Sequence, residues 1–141
     1  MLDSDSLTRR DWLTQAGMVR GYLRENMTPA DYAWLRITHT FDENDLVTFL
    51  RWADYAFDLI KQSDKIRDSI KGEPLILRKL VKKALLPRHQ LRLPVPPEGI
   101  RYKTLENWAS EVRRACELET RRVRQTALRL IDRRGEWVEQ E

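Results

Sequence analysis

The sequence predicts an all-α protein, a small helical bundle of about five helices with a long C-terminal helix. Three observations predict it. Apolar residues recur at spacings of three and four along most of the chain. Strand-like alternation is weak and only five glycines occur in 141 residues. Helix start and stop signals punctuate the chain. Hydrophobic residues make up 41% and charged residues 34%, and five Trp, four Tyr and three Phe supply core material that a disordered chain would lack. The length suits one domain, residues 1–141, with a Pro-rich linker at 87–103 before the last helix.

The first helix is expected over Leu7–Arg24, with Thr8 and Asp11 as an approximate capping box. Leu13, Ala16, Val19, Tyr22 and Leu23 give its apolar stripe, while Gly17 and Gly21 either weaken it or permit a close helix contact. Thr28-Pro29-Ala30-Asp31 is a stronger start signal: a capping hydroxyl, proline at the first helical position and an acid in the first turn. That helix should end near Thr40. A third runs from Asp42 or Asn44 to about Gln62, with Leu46, Phe49, Leu50, Ala53, Ala56, Phe57 and Ile60 on one face. A further turn or two from Ser63 or Asp64 through Ile70 is expected to stop at Gly72.

Glu73-Pro74 opens a helix to about Leu86, apolar at Leu77, Leu80, Val81 and Ala84 and stopped by Pro87. Pro87, Pro94, Pro96 and Pro97 then favour an irregular, extended segment over 87–101. Thr104 caps a long helix lined by Leu105, Trp108, Ala109, Val112, Cys116, Val123, Ala127 and Leu130. It should reach Arg134, end at Gly135 and span roughly 45 Å.

Charge is distributed unevenly. Residues 61–103 hold twelve Lys/Arg against four Asp/Glu, a net +8. Residues 1–60 hold six against ten, a net −4, and residues 104–141 hold eight against eight. The overall +4 hides a polarised molecule. One-sided positive charge is the footprint of a polyanion partner, because Lys and Arg replace condensed counterions on phosphates. Arg78, Lys79, Lys82 and Lys83 cluster on one face of the helix after Pro74, with Arg88 and Arg92 just beyond, and no acid interrupts Pro74–Pro97. Arg101 and Lys103 close the linker. Arg113, Arg121 and Arg124 form a neighbouring strip on the last helix, where Glu117–Arg121 and Glu119–Arg122 pairs would instead make a solvated, salt-bridged face. These eleven cations are the candidate nucleic-acid-binding residues. Contacts of this kind position a backbone and carry no sequence information.

Other constellations point away from chemistry. His39 and His89 stand alone without zinc spacing, and His39 reads as a helix-end cap. Cys116 reads as buried and inert, and a single Cys excludes an internal disulfide. The run Asp42-Glu43-Asn44-Asp45 lacks the glycine and terminal glutamate of a calcium loop. Asp54 and Asp58 are expected to face solvent. Trp34, Trp52 and Trp108 read as core or interface, and Trp137, beyond the last helix, as a partner contact. There is no phosphate-cradling glycine loop, nucleophile elbow or Ser/His/Asp arrangement, so no enzyme activity, cofactor, metal or small-molecule substrate is expected. No apolar run approaches 18 residues and the N-terminus is acidic and polar, so neither membrane insertion nor secretion is expected, and the cytoplasm is the default location.

The expected function is therefore that of a non-catalytic, nucleic-acid-binding subunit of a ribonucleoprotein complex. It would hold a phosphate backbone, DNA in preference to RNA, and dock on other protein subunits or copies of itself through its acidic part. The alternative is a helical adaptor or inhibitor whose basic face meets an acidic protein surface. In size, helical make-up, charge and lack of catalytic residues, the chain resembles the small subunits of CRISPR effector complexes of the Cascade type. That resemblance implies a basic bundle lining the belly of an antiviral complex, stacking in two or more copies and steadying the displaced or targeted DNA strand. It carries no residue-level assignment.

Overall fold

A computed structural model describes the backbone of residues 9–39 and 45–140, and the side chains of residues 17–39 and 46–133. The described chain is all-helical: α1 (Arg9–Asn26), α2 (Pro29–Thr38), α3 (Asp45–Lys61), α4 (Asp68–Lys71), α5 (Pro74–Leu85) and α6 (Tyr102–Gln140). The bundle is built on α6, against which α1, α2, α3 and α5 all pack, while α2 also packs on α3 and α5 on α3 and α4.

Local signals explain most boundaries. The Thr28 hydroxyl accepts a hydrogen bond from the Asp31 backbone N–H at 3.2 Å, with Pro29 at the first helical position. The helix ends at Thr38, slightly earlier than expected, and His39 caps it by donating its backbone N–H to the Leu35 carbonyl. Pro74 opens α5 and the following Pro87 stops it. Gly72 ends α4, which starts at Asp68 rather than at Ser63 or Asp64. This short α4 makes the sixth helix. The expected Thr8–Asp11 cap and the Asp42–Asn44 start lie outside the described side chains.

Two expectations fail in the second half. Pro87 does stop α5, but the segment after it is not irregular from its first residue: Pro87–His89 form a 3-10 turn that leads through Gln90, at φ 47°, into the linker. A proline is excluded from a helix interior by its missing N–H and by the clash of its ring with the preceding turn, and at a first position neither applies. The last helix starts at Tyr102, not Thr104, and passes through Gly135 to Gln140. Its 39 residues span roughly 58 Å, well beyond the predicted length. A lone glycine weakens a helix without ending it. Trp137 therefore lies within α6 and not past it; its side chain, like that of Trp12, is outside the described set.

The core runs along α6. Leu105, Trp108, Val112, Ala115, Cys116, Val123 and Ala127 are buried there, facing Trp34 and Ile37 of α2, Phe49, Ala56 and Ile60 of α3, and Ile76, Leu77, Leu80 and Val81 of α5. Trp34 and Trp108 are buried as expected and Trp52 is half-buried. The broad apolar face of α3 is only partly covered: Leu50 is 63% exposed and Leu46 is also exposed. Asp54 and Asp58 face solvent.

A charged clamp that sequence spacing did not reveal ties α2 to α6. Arg122 donates from Nη1 to Asp31 Oδ2 at 3.0 Å and from Nη2 to Asp31 Oδ1 at 2.6 Å, while Nε and Nη2 also reach Glu119. The hydrogen bonds to Asp31 and Glu119 hold the guanidinium charge more tightly than usual. Arg122→Ala leaves the buried Asp31 carboxylate without its partner. The expected loss is about 1–2 kcal/mol, kept low because the guanidinium is nearly half exposed, and a urea denaturation midpoint measures it.

Candidate nucleic-acid interface

The solvent side of α5 follows from its sequence. Leu77, Leu80 and Val81 are drawn into the core, which leaves Arg78 and Lys79 exposed and Lys82 and Lys83 half-exposed. The last two sit in the final turn, where cations complement the helix dipole. Arg78 is the member with neighbours: its guanidinium lies 3.8 Å from Asp54 and 5.0 Å from the Phe57 ring centroid, both on α3. Lys79, Lys82 and Lys83 form no ion pair among the described residues. Leu75, 75% exposed, sits amid these cations, a position the sequence reading did not single out.

A groove of about 550 Å³ opens beside the C-terminal end of α5. Its apolar floor includes Ile37, Leu86 and Cys116, and Arg88, Arg113, Arg121 and Arg124 line it, with Glu117 the one acid among its lining residues. The fold thus joins four of the eleven candidate cations from two segments far apart in sequence. They come together because the 3-10 turn carries Arg88 back toward α6, where Arg113, Arg121 and Arg124 share a face. Arg92, Arg101 and Lys103 are exposed but lie along the linker and the start of α6, outside the groove. The Glu119–Arg122 pair forms, whereas Glu117 and Arg121 form no ion pair among the described residues. Arg67, one of the twelve cations of residues 61–103 and not among the eleven candidates, is paired: its Nε donates to Glu111 at 3.1 Å.

Two groups bordering the groove are held in defined states. Burial, followed by the charges of Glu119 and Glu117, pushes the Cys116 thiol up to about 12, so it stays protonated and unreactive. Arg124 donates its Nε–H to His39 Nε2 at 2.7 Å, which requires an unprotonated acceptor nitrogen. Burial and then the Arg124 charge lower the His39 pKa below its ordinary 6.5. The neutral form is favoured in the folded state, so its contribution is complete above about pH 6.5 and declines as pH falls toward the lowered folded value. Wild type is expected to lose more stability than His39→Asn between neutral and mildly acidic pH, read by urea midpoints.

No three His, Cys, Asp or Glu side chains gather into a metal site among the described residues, and no described helix is long and apolar enough to cross a membrane. Comparison with known proteins returns no matching family model, no matching curated protein and no matching solved structure.

Proposed function

We propose that this chain is a non-catalytic subunit that holds the phosphate backbone of a nucleic acid, DNA in preference to RNA. One observation carries the reading. The outward face of α5 is cationic at four positions, and three of them carry no ion pair among the described residues. A face that existed only for solubility would mix both signs. The adjoining groove extends the positive surface with arginines, whose planar forks suit phosphate oxygens. The reading places function in backbone contact, so binding should depend little on base sequence.

The finer setting, a small subunit stacked inside an antiviral ribonucleoprotein complex, belongs to the same proposal. Exposed Leu46 and Leu50 beside Asp54 and Asp58 on α3 support a docking role for the acidic side of the molecule. The second reading, an adaptor for an acidic protein surface, is favoured by Leu75: an exposed leucine amid cations suits a protein anchor better than a sugar–phosphate chain.

A gel-shift titration of single-stranded and duplex oligonucleotides at rising salt tests the proposal. Binding that weakens steeply and linearly in log–log form supports it. Absence of a shift at low salt with every oligonucleotide contradicts it.

A further inference from the structure

Four of the six arginines in residues 1–60 gather around one cleft, a concentration that the net negative charge of that segment conceals. Arg20 and Arg24 come from α1, Arg36 from α2 and Arg51 from α3. The wall between them is aromatic. Tyr32 is buried and meets the half-buried Trp52 edge-on, with ring centroids 5.8 Å apart and planes at 88°. The Arg51 guanidinium lies 5.2 Å from the Trp52 ring centroid, which fixes one cation against the wall.

The cleft measures about 280 Å³, and no carboxylate among the described residues lines it. Asp31, the residue before Tyr32, is engaged by Arg122 on α6. Gly17 and Gly21, one turn apart on α1, complete the lining. A β-carbon at either would meet nothing within 4 Å, so packing does not require glycine there. Each weakens α1 relative to alanine, and what their missing side chains provide is open space among the arginines.

Like charges brought together around a concave surface call for an anion with several oxygens, and guanidinium forks match phosphate groups. We infer that this cleft is a second phosphate-binding site, shaped for adjacent phosphate groups beside a planar ring, as a nucleotide presents them. A ring would pack on the Trp52–Arg51 wall while the phosphates meet Arg20 and Arg24. A free nucleotide and one unit of a strand share this chemistry. The site is lined by none of the residues assigned to the α5 face or its groove, so either site can fail without the other.

Isothermal titration with tripolyphosphate, ATP and a short oligothymidine tests it. Wild-type protein is expected to bind at least one of these probes saturably. Arg20→Ala/Arg24→Ala and Gly21→Glu should each weaken that binding by roughly tenfold or more, because charge-assisted hydrogen bonds are lost or opposed. A variant with Arg78, Lys79, Lys82 and Lys83 reversed should bind ATP and tripolyphosphate as wild type does. In that reversed variant, tighter binding of ATP than of oligothymidine assigns the site to a free nucleotide, and the reverse order assigns it to a strand. Gly21→Glu enters open space and improves helix propensity, so it decides the matter alone if the arginine pair loses helix content. No binding of any probe to wild type, or wild-type affinity in Gly21→Glu, overturns the inference.

Discussion

Replacing Trp34 by alanine is expected to cost about 3–5 kcal/mol, the range for removing a buried large aromatic side chain. Trp34 is 0% exposed, at the meeting of α2 with α6. It contributes more than volume. Its indole Nε1–H donates to Thr120 Oγ1 at 3.0 Å, and that hydroxyl donates onward to the Cys116 carbonyl at 2.9 Å. Alanine leaves a cavity beside the axis of the bundle and a hydroxyl without its donor. Domains of this size hold a total stability of about 5–15 kcal/mol, so the variant should sit near its unfolding transition. Thr120→Val isolates the polar part and should cost about 1 kcal/mol. Urea denaturation followed by far-ultraviolet circular dichroism measures both. A Trp34→Ala loss below about 1 kcal/mol would mean that α2 and α6 do not share one core.

Reversing Arg78, Lys79, Lys82 and Lys83 to glutamate should weaken nucleic-acid binding by about a hundredfold or more while leaving helix content unchanged. None of the four is buried, and the packing lost is the contact of Arg78 with the Phe57 ring at 5.0 Å and the partly covered stems of Lys82 and Lys83. The one ion-pair partner among the described residues is Asp54, itself 89% exposed at 3.8 Å from Arg78, and exposed pairs of this kind contribute little. Lys→Arg exchanges at positions 79, 82 and 83 should leave affinity nearly intact, because a phosphate chain reads charge at these positions. An adaptor interface would instead hinge on one or two anchors such as Leu75 or Arg78 and would show a shallow salt dependence.

Legibility in the sequence followed the range of the interaction. Thr28 with Pro29, and Pro74 with Pro87, act within one turn, so the ends of α2 and α5 could be read nearly to the residue. Gly135 misled because a glycine permits a helix end without requiring one, and the 3-10 turn after α5 went unread because the proline that stops α5 is harmless at the first position of the turn. The outward set of α5 was legible because helical spacing alone separates it from Leu77, Leu80 and Val81. The groove was legible only in part: the strip Arg113, Arg121 and Arg124 followed from periodicity, but its meeting with Arg88 depends on how the chain turns after α5. The Asp31–Arg122 clamp and the arginine cleft join residues from different helices, and nothing local announces them. A net count also hid the cleft, since six arginines among ten acids read as an acidic segment although four of them share one surface.

The most direct measurement is the salt dependence of oligonucleotide affinity for wild type and for Lys79→Gln/Lys82→Gln/Lys83→Gln, recorded over the same salt range. If these lysines neutralise phosphates, removing them should flatten the log–log slope by about 2–3, close to one unit per lysine. An unchanged slope, with binding retained, would contradict the claim that the outer face of α5 grips the strand.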